Sequence, residues 1–230
     1  MSLLWVVMPV YNEEECVKEV VLEWLTALRN QPVLFKLCIL NDGSKDATLT
    51  ILNTLAHTEP ELYIVDKTNS GHGQTCIEGY KLGLQQGAEW IFQIDSDGQC
   101  DPHYFNEAFA QSQNHKVVFG FRKTRDDGFK RYLISRVLSI FTFAATGVWV
   151  RDANVPYRLM HKTALVNIVN KVPADFYLSN ILISVLQQRE FGIKWINIHF
   201  RDRSGGSPSV KAISFVKHGL KVFKQLKQAV

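Results

Sequence analysis

The chain opens on a continuous apolar run, LLWVVMPV (Leu3–Val10), the pattern of a β-strand buried on both faces rather than one. NEEECVKEVVLEWLTALR then changes to helical spacing, with acidic residues in the first turn where the helix dipole favours them. A second apolar run, VLFKLCIL (Val33–Leu40), ends in the polar turn NDGSKDAT, whose Asp46 is placed to cap a helix over ATLTILNTLA. ELYIVD predicts a third strand, and the Gly-rich NSGHGQTCIEGYKLGLQQG a turn leading into a helix. WIFQID predicts a fourth strand, PHYFNEAFAQSQ a helix with proline near its start, and KVVFGFR a fifth strand.

Alternation of strand and helix from residue 3 to about 121 predicts an α/β fold: one Rossmann-like domain with a mainly parallel sheet covered by helices on both faces. Ligands of such sheets bind at the carboxyl ends of the strands. The turns Pro9–Glu13, Asn41–Asp46, Asn69–Gly73 and Asp95–Gln99 should therefore converge on one crevice. Neither Gly-x-x-x-x-Gly-Lys-Ser/Thr nor a Gly-x-Gly-x-x-Gly after the first strand occurs, so both common nucleotide fingerprints are missing. Beyond residue 121 the pattern changes. RKTRDDGFKR reads as a charged loop, and YLISRVLSIFTFAATGVWV as a strongly apolar segment interrupted by Arg136. RDANVPYRLMHK is polar, then strand-like; ADFYLSNILISVLQQRE is an amphipathic helix, IKWINIHF a last strand, and RDRSGGSPSVK a loop. The tail AISFVKHGLKVFKQLKQAV reads as a basic amphipathic helix.

Composition changes this picture little. The 230 residues are 46% hydrophobic and 21% charged, ordinary for a globular chain and enough for one sizeable core. The net charge of +4 is too mild to imply nucleic acid. It is uneven, however: from Lys211 onward there are five lysines and no acid. Cys16, Cys38, Cys76 and Cys100 form no Cys-x-x-Cys pair and read as reduced thiols of a cytosolic protein. The first residues read as a strand rather than a signal peptide, and no apolar run reaches the ~20 residues needed to span a bilayer.

The stretch FQIDSDGQCDP carries the sharpest chemical signal, because a buried-looking strand ends by crowding Asp95 against Asp97. Like charges at that distance repel unless something positive sits between them. A divalent cation, Mg²⁺ or Mn²⁺, answers the problem through hard oxygen ligands, with Gln99 adding a neutral oxygen on the same turn. Asp97 or Asp101 could instead cap the helix near Pro102. Asp42 lies just past a strand end, in what could also be a plain Asp-Gly turn. Gly71 and Gly73 precede a helix, allowing close backbone approach and an anion at the helix N-terminus.

In their order and spacing, MPVYNEEE, LNDGSKDAT, NSGHGQTCIEGYKLG, QIDSDGQCDP and VRDANVPYRLM resemble family-2 inverting glycosyltransferases of the GT-A fold, most of all the dolichyl- and polyprenyl-phosphate sugar synthases. The resemblance is good from residue 5 to about 122 and looser to about Lys211. It implies that Pro9, Tyr11 and Glu13 frame the nucleotide base of a UDP- or GDP-sugar and that Asp42 reads its edge. Asp95 approaches the sugar, and Asp97 and Gln99 help hold the metal on the diphosphate. It further implies a GT-A domain over 1–208, with a nucleotide-sugar half (1–121) and an acceptor half (122–208), followed by the amphipathic helix at 209–230. Arg122, Arg131, Arg136, Arg158, Arg203 and Lys211 are the acceptor-phosphate candidates, since the planar guanidinium binds two oxygens at once. Asp152 is the family-type candidate for a general base or acceptor orienter, but DANVPYR lacks the usual Thr-Ser/Gly-Gly-Phe lead-in.

Two segments have the look of surfaces that lie on a bilayer. Residues 132–150 are apolar and include Trp149. The tail sets Ile213, Val216, Leu220, Phe223 and Val230 roughly on one face and Lys217, Lys221, Lys224 and Lys227 elsewhere. The expectation is a metal-dependent hexosyltransferase on the cytoplasmic face of a membrane, with a nucleotide-sugar donor, a polyprenyl-phosphate acceptor and no nucleic-acid partner; a homo-oligomer stays open. The alternatives are a soluble transferase acting on a glycan hydroxyl and a non-catalytic nucleotide-sugar or lipid-surface binding protein.

Overall fold

A computed structural model describes residues 2–126, 128–173, 176, 178–205, 223 and 225–228. The elements in chain order are β1 (Leu3–Val10), α1 (Val17–Arg29), β2 (Leu34–Asn41), α2 (Thr48–Ala56), β3 (Leu62–Asp66), α3 (His72–Gln85), β4 (Trp90–Gln93), α4 (Phe105–Gln111), β5 (Val117–Arg125), α5 (Phe129–Thr146), β6 (Arg158–His161), α6 (Val166–Val169), α7 (Ser179–Glu190) and β7 (Lys194–Phe200). The strands form one sheet in the order β3-β2-β1-β4-β6-β5-β7. β1 lies parallel to β2 and β4, β2 to β3, and β5 to β7. β6 runs antiparallel to both β4 and β5.

That reversed strand decides what reaches the crevice. Parallel strands deliver their carboxyl ends to one edge of the sheet. β6 enters from that same edge, because Arg158, its first residue, sits opposite Gln93, the last of β4. The loop at 151–157 therefore lies at the same edge of the sheet as the turns that follow the parallel strands.

The parallel core strands are buried on both faces, as their unbroken apolar runs require. Phe92 is the register partner of Val6, so it shares that residue's face of the sheet. Trp24 of α1 packs against Phe92 there, at 5.6 Å between ring centroids. Trp5 and Val7 point to the opposite face and receive α3. A methyl group added at Gly79 would lie 2.4 Å from Val7 Cγ1, and one at Gly83 2.5 Å from Trp5 Cδ1. The two glycines, one helical turn apart, let α3 press onto β1 and bring its N-terminus to the crevice.

Several expectations change in detail. α1 begins at Val17 rather than near Asn12, because residues 11–14 are laced to the next turn. Asn12 N donates to Ser44 Oγ, Lys45 N to Asn12 Oδ1, Glu13 N to Thr48 Oγ1 and Glu14 N to Asp46 Oδ2. Asp46 also accepts from Thr48 N at the start of α2, as its position predicts. β5 runs on to Arg125, into the expected charged loop. α7 is not amphipathic: Ser179 to Gln187 are all buried, since α3, α5 and α6 pack around it. The four cysteines are free and buried. Of the tail, Phe223 packs edge-to-face against Phe141 of α5, Leu226 is buried and Lys227 exposed; Ile213, Val216, Lys217, Leu220, Lys221, Lys224 and Val230 lie outside the described residues.

Candidate functional site

At the β2 end, Asp42 is buried and its oxygens are already engaged. Oδ1 accepts from Lys67 Nζ at 2.7 Å and Ser70 N at 2.8 Å, and Oδ2 accepts from Gly71 N at 2.9 Å. Burial alone would raise its pKa, but the hydrogen bonds from Lys67 and Ser70 outweigh it and hold the carboxyl below its ordinary value. Asp42 thus organises the turn before α3. The Gly71 amide, expected to face an anion, faces this carboxylate. Lys67, absent from the sequence-level candidates, is the cation that makes the arrangement tolerable; its signal was its place one residue past a strand end. Of the other residues expected around a base, Pro9 lies one residue before the end of β1, Tyr11 is exposed and Glu13 is buried.

The β4 end holds Ser96, Asp97, Gly98 and Gln99 buried and Asp95 half-buried. Burial raises the Asp95 pKa; His72 pulls it down, and Asp97 pushes it up again. Asp95 Oδ1 is buried without a hydrogen-bond partner among the described residues, and His72 Nε2 lies 3.7 Å from it. His72 lies between the two glycines singled out from the sequence and was itself passed over. Asn180 of α7 approaches the same imidazole at 3.5 Å. Tyr80, which donates to Gln93, links this group to the core. Asp97 accepts from Gln99 N at 3.2 Å and from Arg203 Nη2 at 2.9 Å. Asp101, by contrast, caps the following turn through His103 N.

Arginines gather around the end of β5. Arg122 grips Asp152 with two bonds of 2.7 Å, from Nε and Nη2. Burial pushes the Asp152 pKa up, but the Arg122 charge and hydrogen bonds win and hold it below the ordinary carboxylate value. A carboxylate so clamped orients its neighbours and is a poor proton acceptor. Arg136 Nη2 donates to Arg151 O, and its Nε is buried without a hydrogen-bond partner among the described residues. Arg136 and Arg151 both lie over the Phe121 ring, at 5.3 and 4.2 Å. Arg125 donates to Ser135 Oγ of α5, and Arg131 is half-buried in the first turn of that helix. Arg125 and Arg151 were missed because isolated arginines in a polar loop carry no sequence signal.

Two of the six acceptor candidates stand elsewhere, and one cannot be placed. Arg158 is fully buried over Phe119 and donates to the carbonyls of Val155, Asn180 and Ala153. It holds the 151–157 loop to α7. Arg203 joins Glu13 and Asp97, at 3.4 and 2.9 Å. Lys211 lies outside the described residues. The carboxylate and arginine groups nonetheless form one electrostatic unit, for the Arg122 charge acts on both Asp95 and Asp152.

A divalent cation fits this set only in part. Among the described residues no three His, Cys, Asp or Glu side chains are grouped to hold a metal. Asp97 and Gln99 are hard oxygen donors, and the unpartnered Asp95 Oδ1 lies two residues from Asp97. Mg²⁺ and Mn²⁺ commonly take one or two protein carboxylates and complete their shells with water and substrate phosphate. The residues therefore fit a cation that arrives with an anionic ligand.

A mostly parallel sheet with carboxylates and a helix N-terminus at its carboxyl edge defines the class as an α/β domain with its ligand crevice at that edge. The model of the family "Glycosyl transferase family 2" matches residues 5–169, and the chain belongs to that family. Among curated relatives, a UDP-N-acetylglucosamine–dolichyl-phosphate N-acetylglucosaminyltransferase of Methanococcus voltae is 27% identical over 76% of this chain and 76% of its own. An undecaprenyl-phosphate 4-deoxy-4-formamido-L-arabinose transferase of Pseudomonas fluorescens is 26% identical over 70% of this chain, which spans about half of that relative, 47%. Glucosyl-3-phosphoglycerate synthase of Mycobacterium tuberculosis, solved with Mn²⁺ and UDP-Glc, superposes with a TM-score of 0.70 at 16% identity, over 99% of this chain and 79% of its own. At that identity the likeness concerns the fold alone.

Proposed function

We propose that the protein transfers a sugar from a nucleoside-diphosphate donor to a polyprenyl phosphate, with inversion at the anomeric carbon. The observation that carries the reading is the arginine group of Arg122, Arg125, Arg136 and Arg151, with its orphaned Arg136 Nε, beside the Asp95–Asp97 turn. The curated relatives' names point the same way, toward lipid-phosphate acceptors. On this reading residues 1–121 receive the donor and 122–208 the acceptor. Pro9, Tyr11 and Glu13 border the base, while Asp42 shapes the Gly71–Gly73 turn from beneath. Asp97 and Gln99 are the residues that would hold Mg²⁺ or Mn²⁺, and Asp95 faces the sugar. When bound, the cation offsets charge gathering on the departing diphosphate.

The arginines hold the acceptor phosphate so that one oxygen attacks the anomeric carbon opposite the leaving group. The new carbon–oxygen bond forms as the bond to the diphosphate breaks, and the nucleoside diphosphate leaves with the electron pair. A phosphate monoester, with a second pKa near ~6, arrives ionised and needs no base. That agrees with the state of Asp152, which Arg122 clamps and lowers. A hydroxyl acceptor would need a base at this place.

The acceptor reading also gives the outer face of α5 a role. Leu133, Ile134, Val137, Ile140 and Phe143 are exposed there, with Trp149 just beyond. Among the described residues no helix is long and apolar enough to cross a membrane. Contact with the surface of an anionic bilayer suits this face, set beside arginines that draw in a lipid headgroup. The test is a panel of UDP- and GDP-sugars with Mn²⁺ or Mg²⁺, with and without polyprenyl phosphate. A glycosylated lipid phosphate is the expected product. Equal transfer to a glycan hydroxyl with no use of the lipid would overturn the acceptor reading, and absence of any donor turnover would overturn the enzyme reading.

A further inference from the structure

The strap that follows β7 lies across the cation-binding turn and is fastened to it by its backbone. Ser204 N donates to Asp97 O at 3.0 Å, Arg201 N to Gln99 O at 3.1 Å, and Gln99 Nε2 to Arg201 O at 3.0 Å. Cys100 and Phe200 add an antiparallel bridge. The approach is close enough to demand glycine at position 98: its φ is +78°, and a Cβ there would sit 2.2 Å from Ser204 Oγ.

This fastening fixes where Arg203 points. Its Nη2 lies 2.9 Å from Asp97 Oδ2 and its Nη1 3.4 Å from Glu13 Oε1. Both carboxylates are almost wholly buried, with Asp97 6% and Glu13 7% exposed. The other Asp97 oxygen already accepts from Gln99 N. A cation on Asp97 would share the carboxylate and the negative potential that the guanidinium now meets. Arginine cannot vacate that place by losing its proton.

Resting on the assignment of Asp97 and Gln99 to a cation, we infer that Arg203 is the resident counter-ion of that site, which the divalent cation must displace. Metal alone competes with a permanent positive charge and binds weakly. A nucleoside diphosphate brings further negative charge into the crevice and lowers the cost of that displacement. Arg203 thereby makes cation binding conditional on the nucleotide. It is a positioning residue for the cation rather than part of the arginine group around Asp152.

The experiment is a titration of the full chain with Mn²⁺, read by the loss of free Mn²⁺ signal in electron paramagnetic resonance, with and without UDP or GDP. The variants are Arg203→Gln and the uncharged, similarly sized Arg203→Met, with melting temperatures recorded alongside. Arg201→Gln is the control: its backbone bonds to Gln99 are kept, and its side chain pairs with Glu23 and Asp101 rather than with Asp97. The Arg203 variants should bind Mn²⁺ alone about tenfold more tightly than the wild type, the size of one charge-assisted hydrogen bond. The gain in affinity caused by the nucleotide should shrink by the same factor, and Arg201→Gln should leave both unchanged. If the wild type binds Mn²⁺ with nucleotide through Asp97, yet the Arg203 variants bind Mn²⁺ alone no more tightly, the counter-ion inference is overturned and the cation site stands. If Asp97→Asn binds Mn²⁺ with nucleotide as well as the wild type does, the site assignment itself is wrong and the inference goes with it.

Discussion

Around the ends of β1 and β4 the crevice is built of carboxylates, and around the end of β5 and the start of β6 it is built of arginines. Asp95 and Glu13 both have raised pKa values, chiefly through burial, with Asp97 adding to the crowding. Asp152, though buried at least as deeply, is lowered because Arg122 meets both of its oxygens. Depth of burial therefore does not separate the regions; the availability of a matching partner does. In the carboxylate region Arg203 meets Asp97 and Glu13 and His72 lies near Asp95, yet burial still keeps Asp95 and Glu13 raised. In the arginine region Arg122, Arg125, Arg136 and Arg151 gather beside Asp152, and Arg136 Nε is buried without a hydrogen-bond partner among the described residues. Each is left in the state that a ligand of opposite charge would relieve, which is the physical basis for assigning two reactants to two ends.

The largest effect that could break this contrast is on stability. Asp152→Asn leaves the Arg122 guanidinium, largely buried, without its counter-charge, and should cost about 3–5 kcal/mol in denaturant unfolding. The wild-type pair also has a pH signature. Asp152 is depressed in the folded state, so its contribution is full above the ordinary carboxylate pKa of about 4 and is lost as pH falls below it. A melting curve for Asp152→Asn should show a shallower acid limb than the wild type, and an unchanged limb would count against the pairing.

Asp97→Asn comes next. The fold should survive, because the apolar neighbours of the strand are untouched. Donor turnover should drop by roughly 10²–10³, the usual result of removing one group that stabilises transition-state charge. A Mn²⁺ titration of turnover checks it.

Asp95→Asn should move stability the other way. Removing a buried, crowded charge should raise unfolding free energy by about 0.5–2 kcal/mol while turnover falls, the usual exchange at a site held under electrostatic strain. The opposite signs expected for Asp95→Asn and Asp152→Asn are the sharpest form of the contrast.

Asp101→Asn should do least, within about 0.5 kcal/mol. Asn caps nearly as well, and the bond to Arg201 is partly exposed. Unfolding in urea decides whether this carboxylate, so near the others in sequence, is as inert as its geometry says.

What the sequence disclosed followed from how local each feature is. Strands buried on both faces write continuous apolar runs, so β1 and β2 were legible, and with them the edge where the turns meet. The crowding of Asp95 and Asp97 was legible because two charges two residues apart at a strand end cannot avoid each other. The reversed sense of β6 was not, since a strand of four residues takes its direction from the neighbours it pairs with. Arg158 and Arg136 look alike in sequence; only packing makes one a brace for three carbonyls and leaves the other with a free Nε. Asp42 was legible as a strand-end carboxylate, but its bonds to Lys67, Ser70 and Gly71 come from a turn distant in sequence and were not.

The division of the crevice between two reactants is tested most directly by crossed calorimetry on Asp97→Asn and Arg136→Ala. Each variant is titrated with Mn²⁺ plus UDP or GDP, and separately with a short-chain polyprenyl phosphate. Asp97→Asn should weaken the nucleotide and spare the lipid phosphate. Arg136→Ala should weaken the lipid phosphate at least about tenfold, in line with the loss of a charge-assisted hydrogen bond, and spare the nucleotide. Loss of nucleotide affinity in Arg136→Ala with lipid-phosphate binding intact would contradict the account.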